Sequence, residues 1–390
     1  MDLIREIISE LLWYFLNRIF ISDIQAIWRY RRTNPAQIVF FLKTVIDEQW
    51  LASTYAICKN LTPCAVILNR RRGSGGHSSI PECYYVSSVA VRFFRCQIFV
   101  SASSCLWKFL VPRSCKYIVH MPHSLASLHV IYPAHAYDIY NVLFCCGEHH
   151  VNEIHRMDQA MGQAERYCPS VGYGKMDLLR EQLKDWQDKT SEPVVVSRPI
   201  ILIAPSWGKG NIIDSVGQEL LKALLAKDYQ LIVRPHPLLT KHSRIFSELM
   251  ETYRDEPRIV FEKITTQESL FTADLMISDY SGVAYEFAFL RERPVLFIDV
   301  SPKIINSKWQ SLALEPLEWF LRERIGKVVP PDNIEIIVNE TCALLAQAEA
   351  YREVIISERK RYLYNYEHCG QTAALELEKL LKETKGMGES

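Results

Sequence analysis

Along residues 2–28 apolar side chains return every three or four positions: Leu3, Ile4, Ile7, Ile8, Leu11, Leu12, Phe15 and Ile19. Arg5, Glu6, Glu10, Asn17 and Arg18 fall on the opposite side. This period predicts an amphipathic helix. Trp13, Tyr14 and Trp28 add aromatics, and Arg29, Arg31 and Arg32 close the segment. Such a helix either packs on its own domain or a second copy, or lies in a membrane interface with aromatic and basic anchors. Beyond it, short apolar runs at 38–42, 65–68, 86–91, 98–100, 117–119 and 142–146 read as strands, with a helix over 50–59. Residues 180–198 are polar and read as an interdomain connection. The alternation then restarts, with strands at 200–204, 230–233, 258–261, 275–277 and 295–298. Helices are predicted at 214–226, 242–253, 266–272 and 281–290, and again from 334 to about 385. Strands alternating with helices predict parallel sheets covered on both faces. The expected order is an N-terminal helix over 1–35, a Rossmann-like domain over 36–179 and a linker over 180–198. A second Rossmann-like domain with terminal helices completes it over 199–390.

A length of 390 residues suits two domains. With 48% apolar and 23% charged residues the composition is that of a folded globular chain, not of a disordered or polytopic one. Lys+Arg and Asp+Glu balance at 45 each, which argues against a nucleic-acid partner. The balance conceals an asymmetry: residues 1–135 hold 15 basic and 7 acidic residues, 15 − 7 = +8. A basic front half suits an anionic lipid headgroup or a phosphorylated acceptor, or is simply a dispersed solvated surface. The 11 cysteines form no C-x-x-C pair, and the N-terminus opens on acid–base pairs instead of a basic signal region. The expectation is buried thiols in a reducing cytoplasm. The uncharged stretch 117–137 contains four His and two Pro, which excludes a membrane span there.

Four blocks stand where strands run out, the place where doubly wound sheets bind ligands. In ILIAPSWGKGN, residues 201–211, a strand ends in Pro205, Ser206 and Trp207; this is a ligand loop or an ordinary turn. In LIVRPHPLL, residues 231–239, Arg234 and His236 are held between Pro235 and Pro237, which restrict the backbone on either side. The run 273–298 passes through Asp279, Tyr280, Ser281, Gly282 and Val283 into a helix carrying Glu286. A helix start favours an anion, and Asp279 or Ser281 also fits the simpler role of N-cap. In KYIVHMPHSLASLH, residues 116–129, His120 and His123 close a strand around Pro122. An imidazole there is a candidate base near neutral pH. Eight of the eleven His lie between His77 and His155, but no H-E-x-x-H or matching Cys or carboxylate pattern accompanies them, so no metal is assigned.

Together these blocks resemble the CDP-glycerol glycerophosphotransferase family of teichoic acid synthesis, also found in capsule and lipopolysaccharide clusters. ISDYSGVAYEFAFLRERPVLFI is similar to its TDYSSV…D…RP signature, RPHP to its second histidine motif, and APSW to its APTW strand end. VGYGKMDLL resembles its G-x-P-R-N-D segment, and MPHS stands where W-H-G-T is usual. The resemblance implies a GT-B architecture, two Rossmann-like domains facing across a crevice. With the N-terminal helix and the basic front half, the expectation is a peripheral enzyme on the cytoplasmic face of the membrane, and no cofactor is expected. By the resemblance, such an enzyme transfers glycerol phosphate, or a related alditol phosphate, from a CDP-linked donor to a glycan or lipid-linked acceptor and releases CMP. His123 corresponds to the catalytic base, and His236 to a contact of the donor phosphates that stabilises the leaving CMP. Ser281, Gly282 and the helix start correspond to the diphosphate site, and Glu286 to a ribose contact. Pro205, Ser206, Trp207, Arg234, Asp279 and Val283 complete the donor-binding set. Met121 and Ser124 replace the family's Trp and Gly, and Gly208 and Lys209 follow APSW in place of the usual Arg. These departures leave open a transferase of a CMP- or UDP-sugar, or an inactive nucleotide-binding relative.

Overall fold

The computed structural model describes residues 19–33, 36–70, 77–190, 198–208, 210–236, 239–262 and 266–386. The N-terminal part of the helix expected over 2–28, residues 71–76 and residues 191–197 of the expected connection lie outside the described residues. So do Lys209 and Pro237.

The chain divides into two compact units. The first is residues 1–123, 132–178 and 364–390; the second is 124–131 and 179–363. The strands of the first unit are β1 (Ile38–Leu42), β2 (Cys64–Asn69), β3 (Cys83–Val86), β4 (Ile98–Ser101), β5 (Tyr117–His120) and β6 (Val142–Leu143). They form one parallel sheet in the order β3-β2-β1-β4-β5-β6. Every residue of β1 is buried, as expected for a central strand covered on both faces. The run 86–91 is not one strand. β3 ends at Val86, and Ser87 accepts a hydrogen bond from the Ala90 N–H (3.3 Å), capping the short helix Ser88–Val91.

The second unit contains β7 (Ile200–Ala204), β8 (Gln230–Val233), β9 (Ile259–Phe261), β10 (Leu275–Ser278), β11 (Val295–Ile298) and β12 (Gly326–Val329). Its parallel sheet runs β12-β11-β10-β7-β8-β9, the same winding as the first. In each sheet the chain steps outward from its first strand, then returns to the other side of it. The order therefore reverses between β1 and β4, and between β7 and β10.

Two boundaries differ from the sequence reading. Residues 174–189 form the helix Gly174–Lys189, so the polar run from 180 begins as helix, not as a linker. The C-terminal helix Cys369–Gly386 belongs to the first unit: Ala373, Ala374, Leu377, Leu380 and Leu381 join β1, β2 and β4 in its core. The motif 171–179 makes that return possible. Gly172, at φ +97, is where a Cβ would collide with the Tyr364 carbonyl. Asp177 accepts from the Gly370 N–H (2.7 Å) at the start of the C-terminal helix.

Candidate active site

In the second unit, chemistry gathers at the reversal point. Asp279 follows β10 and is fully buried. Its Oδ1 accepts from the Ser206 N–H (2.8 Å) and its Oδ2 from the Ile212 N–H (3.1 Å). Burial pushes its carboxyl pKa up, and the backbone donors oppose that shift. Asp279 thus clamps the loop after β7 to the loop after β10. This role differs from the donor contact expected of it. Pro205 and Ser206 are buried in the clamped loop, and Trp207 is half-buried.

His236 lies three residues beyond β8, its ring centroid 6.0 Å from that of Trp207. Burial, reinforced by the nearby Lys303 ammonium, pushes its pKa down to about 4. Arg234 points elsewhere. Its guanidinium pairs with Glu262 (2.6 Å) and donates to the Thr266 carbonyl (2.7 Å) and to Gln267 (2.8 Å). The cation expected to face phosphate is spent on holding the loop after β9.

Lys303, which the sequence reading missed, lies five residues beyond β11. Its ammonium sits over the Trp207 indole face. Burial lowers its pKa to about 7, against the pull of Asp279. Trp207, His236, Asp279 and Lys303 therefore come from the ends of four neighbouring strands, β7, β8, β10 and β11. No local motif marks Lys303; only the strand order brings it here.

Ser281 and Gly282 open the helix Val283–Arg291, with Val283 as its first residue and Glu286 buried one turn in. A Cβ at Gly282 would lie 2.9 Å from the Ser124 hydroxyl, so glycine admits that approach. Ser124 opens the segment 124–131, which is built into the second unit. The Ser127 N–H donates to Glu318 (2.7 Å), and its hydroxyl accepts from the Leu317 N–H (2.8 Å). Asn306 donates to the His129 carbonyl (2.9 Å).

In the first unit His120 ends β5 and is buried against Tyr137 and Tyr140, with ring centroids at 4.9 and 5.1 Å. His123 is half-buried among Trp50, His120 and Tyr132. Its Nε2 shares a hydrogen bond with the Tyr132 hydroxyl (2.7 Å), and its Nδ1 is closed off from solvent without a partner among the described residues. The Tyr173 hydroxyl donates to the His123 carbonyl (3.2 Å) and accepts from the Trp50 indole (2.9 Å), which fixes the backbone. Burial, then the nearby His150, pushes the His123 pKa down to about 4, so the ring is neutral at pH 7. Among the described residues no three His, Cys, Asp or Glu side chains gather as metal ligands.

Two doubly wound parallel sheets place the chain in the GT-B-like α/β class, and solved structures agree. It superposes on the wall teichoic acid polymerase TagF with a TM-score of 0.63 at 14% identity, covering 97% of this chain and 98% of that one. It superposes on a UDP-GlcNAc 2-epimerase from Neisseria meningitidis with a TM-score of 0.57 at 13% identity, covering 88% and 99%. Residues 134–301 match the profile of the family described as CDP-Glycerol:Poly(glycerophosphate) glycerophosphotransferase, which bears out the resemblance read from the motifs. The match begins after His123 and contains the loops of Ser206, His236 and Ser281. A teichoic acid poly(glycerol phosphate) polymerase of Bacillus spizizenii is 30% identical over 139 residues, 32% of this chain and 33% of that protein. A teichoic acid ribitol-phosphate polymerase, TarK, of Staphylococcus aureus is 25% identical over 223 residues, 52% and 41%. The chain thus spans less than half the length of these curated relatives.

Proposed function

We propose that this protein transfers glycerol phosphate, or a related alditol phosphate, from a CDP-linked donor to a hydroxyl of a glycan or lipid-linked acceptor. The observation that carries the reading is a coincidence of place. The segment matching the glycerophosphotransferase profile is the one whose Ser206, His236 and Ser281 loops line up at the strand ends of the second sheet. In the reaction, the acceptor oxygen forms a bond to the β-phosphorus while the bond from that phosphorus to the bridging oxygen breaks. The electron pair leaves with CMP, and the acceptor proton passes to His123. A neutral imidazole is the form a base requires, and Tyr132 orients it. His236 and the helix start at Ser281 and Gly282 face the phosphates, with Ser206, Trp207 and Val283 around them and Glu286 toward the ribose. Asp279 and Arg234 act behind this set by fixing its loops.

Work at a membrane fits the helix Ile19–Arg32. Asp23 accepts from the Ser87 hydroxyl (2.6 Å), and the Tyr30 hydroxyl donates to the Ala36 carbonyl (3.2 Å), so one side is tied down. Phe20, Ile21, Ile24 and Trp28 remain exposed beside Arg29, Arg31 and Arg32, an arrangement suited to the cytoplasmic face of an anionic bilayer. No helix of the described residues is long and apolar enough to cross a membrane.

The test is product analysis with CDP-glycerol, CDP-ribitol, a CMP-sugar and UDP-GlcNAc as donors and a lipid-linked glycan as acceptor. Release of CMP with phosphate transferred to the acceptor is the expected outcome. Transfer of sugar without phosphate would replace the reading with glycosyl transfer.

A further inference from the structure

Lys303 is placed with unusual care for a loop lysine. The segment 299–306 is pinned at both ends. Asp299 pairs with Arg322 (2.9 Å) and accepts from the Tyr280 hydroxyl (3.1 Å); Ile305 and Asn306 donate from their backbone N–H groups to the Val130 carbonyl (3.0 and 3.1 Å). Pro302 stiffens the turn between them. Lys303 is carried on this bridge to the face of Trp207.

The charge it brings there is not matched. Among the described residues Lys303 makes no ion pair. Asp279 is near enough to be felt, but both its oxygens already accept backbone hydrogen bonds. His236 is held neutral. The Trp207 ring offers a cation–π contact, which offsets only part of the cost of desolvating an ammonium. Nearby Arg234 is neutralised by Glu262. A half-buried cation with no ion-pair partner among the described residues, held on a bridge beside a histidine at a reversal point, is a place an anion would complete.

We propose that Lys303 contacts the diphosphate of the donor and meets the negative charge that builds on the departing nucleotide monophosphate. This rests on the donor reading above and names the residue that takes over the task expected of Arg234. The tryptophan face presents the ammonium and keeps it from collapsing onto Asp279.

The experiment compares wild type, Lys303→Met and Lys303→Arg in full-length protein by calorimetry with cytidine, CMP and CDP-glycerol. Turnover and thermal unfolding are measured alongside. Lys303→Met should weaken CDP-glycerol binding roughly ten- to hundred-fold, the range for one charge-assisted contact, and leave cytidine binding unchanged. Lys303→Arg should restore most of the loss. In wild type, CDP-glycerol affinity should fall above pH 7 as Lys303 loses its proton, and this dependence should vanish in Lys303→Met. Asp279 and His236 are the other titratable groups facing Lys303; His236, lowered to about 4, is already neutral in that range, and burial raises the Asp279 carboxyl. Equal CDP-glycerol affinity in wild type and Lys303→Met overturns the inference and leaves the donor reading standing. If wild type binds UDP-GlcNAc in place of CDP-glycerol, the donor reading fails, and the same comparison on UDP-GlcNAc still decides for or against Lys303. Binding of neither diphosphate ester overturns both.

Discussion

His123 and His236 are both buried enough to stay neutral down to about pH 4, yet the proposed reaction gives them different work. His123, the proposed base, has its ring oriented by the hydrogen bond between Nε2 and the Tyr132 hydroxyl. His236 sits with Trp207 and Lys303 in the cluster proposed to meet the donor phosphates. A base acts only as the transition state forms, so His123→Ala should cut turnover by a factor of about 10²–10⁴ with donor affinity near wild type. His236→Ala should lower both, and equal losses of donor affinity in the two variants would break the assignment. The acid limb of kcat/KM should lie nearer pH 4 than pH 6.5. Stability has the same sign. The unfolded imidazoles take up protons near pH 6.5 and the folded ones refuse them until about 4, so stability falls as pH drops through that window. Urea titrations at pH 7 and pH 5 would show it. Asp279 shows what a motif does and does not disclose. ISDYSG marks a strand running into a helix start, but whether the Asp faces a ligand or its own backbone depends on a loop 73 residues away in sequence. Asp279→Ala removes the acceptor of two buried N–H groups and should cost about 2–5 kcal/mol, read as a lowered urea midpoint.

Among the elements, legibility followed burial. Central strands such as β1, β7 and β10 are covered on both faces, so they stand out as continuous apolar runs, and their positions were read to within two residues. β12 was missed because only Gly326 and Val329 are buried in a four-residue strand with Lys327 exposed. The helix Cys369–Gly386 was recognised as a helix, but its destination was not, because periodicity reports that a face is apolar and not which sheet it covers. The contacts that settle it are non-local: Asp177 to Gly370, and Gly172 against Tyr364. Removing residues 364–390 should therefore unfold the first unit and not the second. It strips Leu377, Leu380 and Leu381 from the core that β1 and β2 share. Limited proteolysis with mapped fragments checks this, since cuts confined to the second unit would contradict the assignment.

At the scale of the molecule, the two units are interleaved in sequence: residues 124–131 belong to the second although stretches of the first flank them, and the helix Cys369–Gly386 returns to the first. A fragment cut at 199 lacks the segment bonded to Leu317, Glu318 and Asn306, so donor binding is better tested on the whole chain. The charge is divided in a related way. Residues 1–135 carry the excess of basic groups, 15 against 7, in a chain with no net charge. That excess includes Arg29, Arg31 and Arg32, which sit beside Ile24 and Trp28, 61% and 59% exposed. Apolar insertion and attraction to anionic lipid should therefore act together, and they respond to different variables. Binding to phosphatidylglycerol-containing vesicles should weaken steadily from 50 to 500 mM salt as the electrostatic part is screened. Replacing Ile24 and Trp28 with serine should reduce binding at every salt concentration and leave its salt slope nearly unchanged, because the charges remain. Reversing Arg31 and Arg32 to glutamate should instead flatten the slope. Donor affinity in both variants should match wild type, since these residues belong to the first unit and the cluster at Trp207 and His236 belongs to the second. Vesicle sedimentation that is the same for all three proteins at low salt would reduce the helix to a packing element of the first unit.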